Sequence, residues 1–185
     1  MTSALWCLGR GTGAVCLVLL TVVVVLGIAA RSGRPLFGLP RFAVAAVHRN
    51  AGLLAVSLLA VHVLSLLADP YAQLRLVDLV MPFVGTYRTL WLGLGTLGLD
   101  LILALVVTSL LRQRIGARAW RTVHWLAYVA WPVALLHGVG TGTDAGQLWL
   151  RALAAGRVAT VLAAVGWRMS ERFAETTLSR SEGPR

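Results

Sequence analysis

The chain has 185 residues, 58% of them hydrophobic and 13% charged, with a mean hydropathy of +0.78 and a formal net charge of +10. A soluble domain carries about a quarter charged residues, so a soluble globular domain is excluded, and the apolar residues fall in runs long enough to cross the roughly 30 Å core of a bilayer. Nucleic acid is not an indicated partner: all 17 basic residues are arginine, most of them in short connectors at the ends of apolar runs, and the environment this pattern fits is a lipid bilayer.

The expected fold class is all-α: an integral membrane helical bundle of about five transmembrane helices, one domain over 1–170 with a polar cytoplasmic tail over 171–185. The first span covers about 4–30. Its early Arg10 and the small residues of "GIAARSG" are signal-peptide features, but the apolar run is long for a signal and Arg31 and Arg34 follow it like a stop-transfer flank. Cys7 and Cys16 lie nine residues apart on this helix, a rise of about 13.5 Å that is too far for a disulfide; two packed thiols are expected. The connector "RSGRPLFGLPR" leads to a second span over 42–67, and "ADPYAQLRL" ends it. The segment 71–87, with Leu74, Leu76, Val77, Leu79, Val80 and Phe83 among polar residues, reads as an interfacial helix, with an ordinary loop as the alternative. A third span covers 90–111, then "RQRIGAR" turns into a fourth over 120–139. "GTGTDAG" precedes a fifth over 148–167. Trp91, Trp120, Trp125 and Trp149 stand where interfacial belts are expected.

Arginine sets the orientation. The first connector holds Arg31, Arg34 and Arg41, and the third holds Arg112, Arg114, Arg118 and Arg121. The positive-inside rule puts both in the cytoplasm, the N-terminus outside and the C-terminus inside. A lysine-free, Ala/Leu/Val/Arg-rich chain suggests a GC-rich bacterial genome, and so a bacterial inner (cytoplasmic) membrane.

The chain has four histidines, His48 and His62 in the second span, His124 and His137 in the fourth. These two spans run parallel, so His48 and His124 share the cytoplasmic level and His62 and His137 the outer level, about 20 Å away. Intramembrane ionisable residues are rare and usually functional. A neutral imidazole on a helix facing a bundle interior is a good haem-iron ligand, and one pair per level suits bis-histidine haem b. Zinc wants three or four protein ligands. With no CxxCH motif, covalent haem attachment is excluded. Helix phase supports one pair of positions better than the other: a 14-residue step leaves His48 and His62 about 40° apart, whereas 13 residues leave His124 and His137 about 140° apart. A distortion at Pro132 is expected to close that gap.

"HRNAGLLAVSLLAVH" (48–62), "VHWLAYVAWPVALLHGVGTGTD" (123–144) and the "DLVMPFVGTYRTLWLGLGTLGLDLILALVVTSLLR" between them resemble the ferric reductase-like transmembrane domain. That is the haem module of ferric reductases, NADPH oxidases and the haem subunit of a methionine sulfoxide reductase, here in its bacterial branch. The resemblance implies His48 and His124 as ligands of an inner haem and His62 and His137 of an outer one. Larger members have six spans and continue into a flavin and NADPH domain. Five spans are counted here and no glycine-rich nucleotide loop is present, so no flavin or nicotinamide site is expected in this chain. The electron donor would be a separate flavoprotein or a quinol, and the acceptor ferric iron, oxygen or a partner reductase on the outer side. Haem binding as a sensor or assembly subunit, and a haem-free structural role, remain open alternatives.

Charges near the two levels extend the candidate site. Arg10 either meets an outer propionate or a reduced oxygen species, or snorkels. Arg49 either meets an inner propionate or anchors the interface, and Arg151 either reaches an outer propionate or snorkels. Asp100 and Arg157 are expected at matched depth as a buried ion pair, with a propionate as the alternative partner of Arg157.

Overall fold

A computed structural model describes residues 4–32, 35, 38–70, 72, 74–142 and 147–170. Arg34, Tyr71, Asp144, the side chain of Trp149 and the tail 171–185 fall outside the described residues. The described chain is helical: α1 Ala4–Arg31, α2 Arg41–Leu67, α3 Leu76–Val80, α4 Thr89–Leu110, α5 Arg112–His124, α6 Ala127–Thr141 and α7 Leu148–Met169. Helices α1, α2, α4 and α7 are each long and apolar enough to cross a membrane. Helices α5 and α6 make a fifth crossing if taken as one span bent by 48°.

The breaks between helices have local causes. Proline at position 40, the N-cap of α2, has extended backbone and its carbonyl accepts from the N–H groups of Ala43 and Val44. The hairpin from α4 into α5 turns at Gly116, whose φ of 81° and ψ of 159° belong to a region open essentially to glycine alone. The break between α5 and α6 lies at Trp125 and Leu126, not at Pro132, which sits inside α6. Around it the N–H groups of Leu126, Tyr128 and Val129 donate to carbonyls three residues back, and Trp125 is shared between Arg121 and Thr122. This is 3₁₀ geometry, which advances about 120° per residue instead of about 100°. Four such residues add about 80°, so the 140° offset expected between His124 and His137 shrinks to about 60°.

Helix α1 packs on α2 and also meets α6 and α7; α4 packs on α6, α5 and α3. The buried centre joins Leu17 of α1, Trp131 and Leu135 of α6 and Val161 of α7. Trp131 donates its indole N–H to Thr21 Oγ1 at 3.0 Å, and Thr21 donates to the Leu17 carbonyl at 2.9 Å, so the buried polar atoms here are satisfied. Cys16 is buried and its thiol donates to the Ala55 carbonyl at 3.3 Å. Cys7 is exposed, so only one of the two thiols is packed as expected; both are free.

The interfacial segment is shorter as a helix than its pattern implied. Only Leu76–Val80 is helical, closed by a capping box in which the Arg75 backbone N–H donates to Asp78 Oδ2 at 3.0 Å. The Arg75 guanidinium also donates to Asp78 Oδ1 at 3.0 Å and holds that carboxyl below the usual aspartate range. Thr96 of α4 donates to the Asp78 carbonyl at 2.5 Å and ties α3 to the bundle. Phe83, at a φ of 67°, lies against Gly93, where no Cβ would fit.

Candidate functional site

The four histidines meet in two pairs. The ring centroids of His48 and His124 are 6.4 Å apart with an interplanar angle of 71°, and those of His62 and His137 are 6.4 Å apart at 79°. Each pair takes one ring from α2 and one from the α5–α6 span, as the sequence pairing expected.

Three of the rings are fixed by backbone. Nδ1 of His48 lies 2.9 Å from the Val23 carbonyl oxygen and Nδ1 of His62 lies 2.7 Å from that of Gly9, both on α1. Nδ1 of His137 lies 2.8 Å from the Trp91 carbonyl oxygen on α4. A carbonyl only accepts, so Nδ1 carries the proton in all three and Nε2 keeps its lone pair. Metal-bound histidines have this arrangement, with the second ring nitrogen donating to a carbonyl or carboxylate. Nδ1 of His124 is buried with no hydrogen-bond partner among the described residues. Its ring instead lies 4.9 Å from that of Trp120, whose indole N–H donates to Ser109 Oγ at 3.3 Å.

Glycines give these rings their room. A Cβ at Gly13 would stand 2.7 Å from His62 Nδ1, one at Gly27 would stand 3.1 Å from His48 Cε1, and one at Gly95 would stand 2.5 Å from His137 Cε1. Sequence reasoning missed these residues although a signal was present: Gly13 and Gly27 are 14 residues apart, the same step as His48 to His62. It also missed Arg88, which donates to the Gly140 carbonyl at 3.1 Å and so ties the end of α6 near His137.

The spacing fits one metal ion between each pair. A metal–imidazole bond is about 2.0 Å and the bonded nitrogen lies about 1.1 Å from its ring centre, so two imidazoles on opposite sides of one ion have centroids about 6.2 Å apart. Among the described residues no group of three or more His, Cys, Asp or Glu side chains is placed to hold a metal. The donor set is two imidazoles per level, which would fit a haem iron and does not suit zinc.

The flanking charges are placed less closely. Arg10 lies over the Trp6 ring, 4.5 Å from its centroid, one residue beyond the Gly9 carbonyl that receives His62. Arg49 and Arg151 are exposed on α2 and α7. The expected ion pair of Asp100 with Arg157 does not form. Helix α4 packs on α6, α5 and α3, while α7 packs on α1. Arg157 lines an open groove of about 620 Å³ with Val18, Thr21, Val22, Leu153 and Thr160, and its Nε is buried without a partner among the described residues. Trp125 is largely exposed beside Tyr128 and under the Arg168 guanidinium, which donates to the Tyr128 hydroxyl. Trp91 is wedged against Gly140.

No curated protein and no solved structure matches the chain. A family model, ferric reductase like transmembrane component, matches residues 12–135. That span takes in His48, His62 and His124, begins two residues after Arg10 and stops two before His137. The match covers most of the chain and the helices that build both histidine levels, and the chain belongs to the ferric reductase-like transmembrane family.

Proposed function

We propose that this protein is a di-haem b membrane subunit that passes electrons across the bilayer. His48 and His124 would hold the inner haem, and His62 and His137 the outer one. The observation that carries this reading is the matched pair of imidazole couples, each with centroids 6.4 Å apart. Three of the four rings present Nε2 because Nδ1 is committed to a carbonyl. Family membership supports a role in membrane electron transfer. When bound, the haems supply a reversible one-electron couple at each level.

The residues of the chain do the remaining work. Helix carbonyls of Gly9, Val23 and Trp91 set tautomer and ring orientation, glycines admit the rings, and apolar helices exclude water. Arginine distribution supports an outer N-terminus and a cytoplasmic C-terminus, so electrons enter at the His48–His124 level. The donor is a flavoprotein or a quinol, and the acceptor ferric iron, oxygen or a partner reductase outside. Arg10 and Arg151 are the cations for propionates at the outer level, and Arg49 the one for the inner level.

The test is a reduced-minus-oxidised spectrum of the purified protein together with its haem content. Two b-type haems per chain are expected, falling to one in His48→Ala and to one in His62→Ala. A spectrum without a b-type α-band sinks the reading. A subunit without net flux would bind both haems yet fail to oxidise them from outside after reduction by an inner-side donor in vesicles.

A further inference from the structure

Four rings meet in two pairs, but only three are held in the same way. At those three a helix carbonyl at position n accepts the imidazole Nδ1–H and a glycine stands at n+4: Gly9 with Gly13, Val23 with Gly27, and Trp91 with Gly95. The glycine has a physical reason. In a helix the side chain of residue n+4 leans toward the N-terminus, over the carbonyl that its own N–H engages, so a Cβ there crowds whatever approaches that oxygen.

His124 is the fourth ring, and its Nδ1 is buried with no acceptor among the described residues. What it has instead is a neighbour on its own helix. Trp120 stands four residues earlier on α5, one turn toward the N-terminus, which is the direction in which a helical side chain leans. The two rings meet with centroids 4.9 Å apart and planes tilted by 31°, close to the offset stack that aromatic rings favour. The indole is itself tied down from another helix. Its N–H donates to Ser109 Oγ of α4 at 3.3 Å, across the hairpin that turns at Gly116. Helix α4 thus reaches both ligands of the bent span, His137 by a main-chain carbonyl and His124 through Ser109 and the indole.

We propose that Trp120 is the positioning residue for His124, and that stacking in place of a backbone hydrogen bond makes His124 the axial ligand that exchanges most readily. The proposal rests on the haem reading above. An indole face resists turning of the imidazole but offers Nδ1–H no acceptor, so Nε2 lacks the added basicity that a carbonyl confers on the other three ligands. The bond from His124 to iron is then the weakest of the four. What the indole does fix is the ring plane, set 71° from that of His48. Trp120 acts through the ligand and not on the iron.

The test uses purified holoprotein in detergent in a His62→Ala background, which keeps the inner haem alone. One readout is the electron paramagnetic resonance of the low-spin ferric haem, whose g-values follow the angle between the two imidazole planes. The other is the fraction of reduced haem that binds carbon monoxide. Trp120→Leu should shift and broaden the low-field signal and raise the carbon monoxide-reactive fraction several-fold. Trp120→Phe, which keeps a flat ring, should restore most of both. Ser109→Ala, which frees the indole N–H but keeps both rings, should move both readouts the same way by less, and it decides the matter if Trp120→Leu does not hold haem. A His48→Ala background keeps the outer haem alone, and there Trp120→Leu should change neither readout. Unaltered readouts in Trp120→Leu and Ser109→Ala overturn the proposal, and so does an equal change at the outer haem, which would mark general loosening. A wild type without b-type haem fells the haem reading as well, whereas a wild type with two haems and unaltered variants fells this proposal alone.

Discussion

An imidazole can serve an iron only if its lone pair is aimed, and in this protein backbone does the aiming. The α1 carbonyls of Gly9 and Val23 are 14 residues apart, like the His62 and His48 rings that donate to them, so one antiparallel helix register serves both levels. The glycines one turn on should then differ in how sharply they resist a methyl group. At Gly13 the added Cβ would sit 2.7 Å from His62 Nδ1, closer than real Cβ atoms come, and the ring would have to leave the Gly9 carbonyl. At Gly27 the gap to His48 Cε1 is 3.1 Å, and a shift of a few tenths of an ångström relieves it. Loss of such a supporting bond costs about 10–100-fold in metal affinity. Gly13→Ala is expected to lose the outer haem on dilution or gel filtration, while Gly27→Ala keeps the inner one; haem-to-protein ratios measure both. Equal loss from the two variants would show that ring support is not set by these contacts.

At the scale of elements, the hairpin at Gly116 and the cap of α3 carry separate consequences. A Cβ on Gly116 would meet nothing within 4 Å, so the cost of Gly116→Ala is backbone strain alone, at a φ of 81° and ψ of 159°. Such a conformation costs about 1–3 kcal/mol in a residue with a side chain, which a lowered melting temperature of the holoprotein should report. An unchanged melting temperature would mean that the turn relaxes. For α3, the Arg75 side chain donates hydrogen bonds to Asp78 and depresses its carboxyl pKa. The sign follows: the cap is intact above the ordinary aspartate pKa of about 3.9 and is lost as pH falls through the depressed folded value. Amide exchange at Asp78 and Met81, whose N–H groups bond to Arg75 and Val77, should accelerate only in that acid window, and in Asp78→Asn the pH step should vanish. The apolar pattern over 71–87 pointed to an interfacial helix with a loop as the alternative, and the segment holds both. What limits the helix to Leu76–Val80 is the capping box at one end and the extended Met81 followed by positive-φ Phe83 at the other. The bend of the fourth span was legible as a phase conflict between His124 and His137. Its position was not, since hydrogen bonds to the third residue back can form wherever neighbouring helices favour them, and they formed at 125–129.

Over the whole molecule, hydropathy and arginine placement were enough to read the spans, and four histidines at matched depths were enough to read the pairing. Which helices would face each other was not readable from depth alone, and the Asp100–Arg157 expectation failed there. Depth along two parallel spans is one coordinate, while an ion pair also needs a shared interface, and α4 and α7 pack on different partners. A charge at a helix centre costs about 2.5–3.5 kcal/mol of insertion free energy, less where a long side chain snorkels. A buried pair would recover part of that through mutual attraction, and removing one partner would then strand the other at a cost of about 3–5 kcal/mol. Separate charges behave in the opposite way: each is a cost in its own right, and each neutral replacement relieves its own cost. Arg157→Leu is therefore expected to stabilise the protein by up to about 2 kcal/mol against unfolding in mixed micelles, with haem content unchanged. Asp100→Leu should act independently, and the double variant should equal the two singles combined to within about 0.5 kcal/mol, as for sites with no shared partner. A coupling well above that, or destabilisation by either single variant, would put the two side chains in contact within the membrane after all.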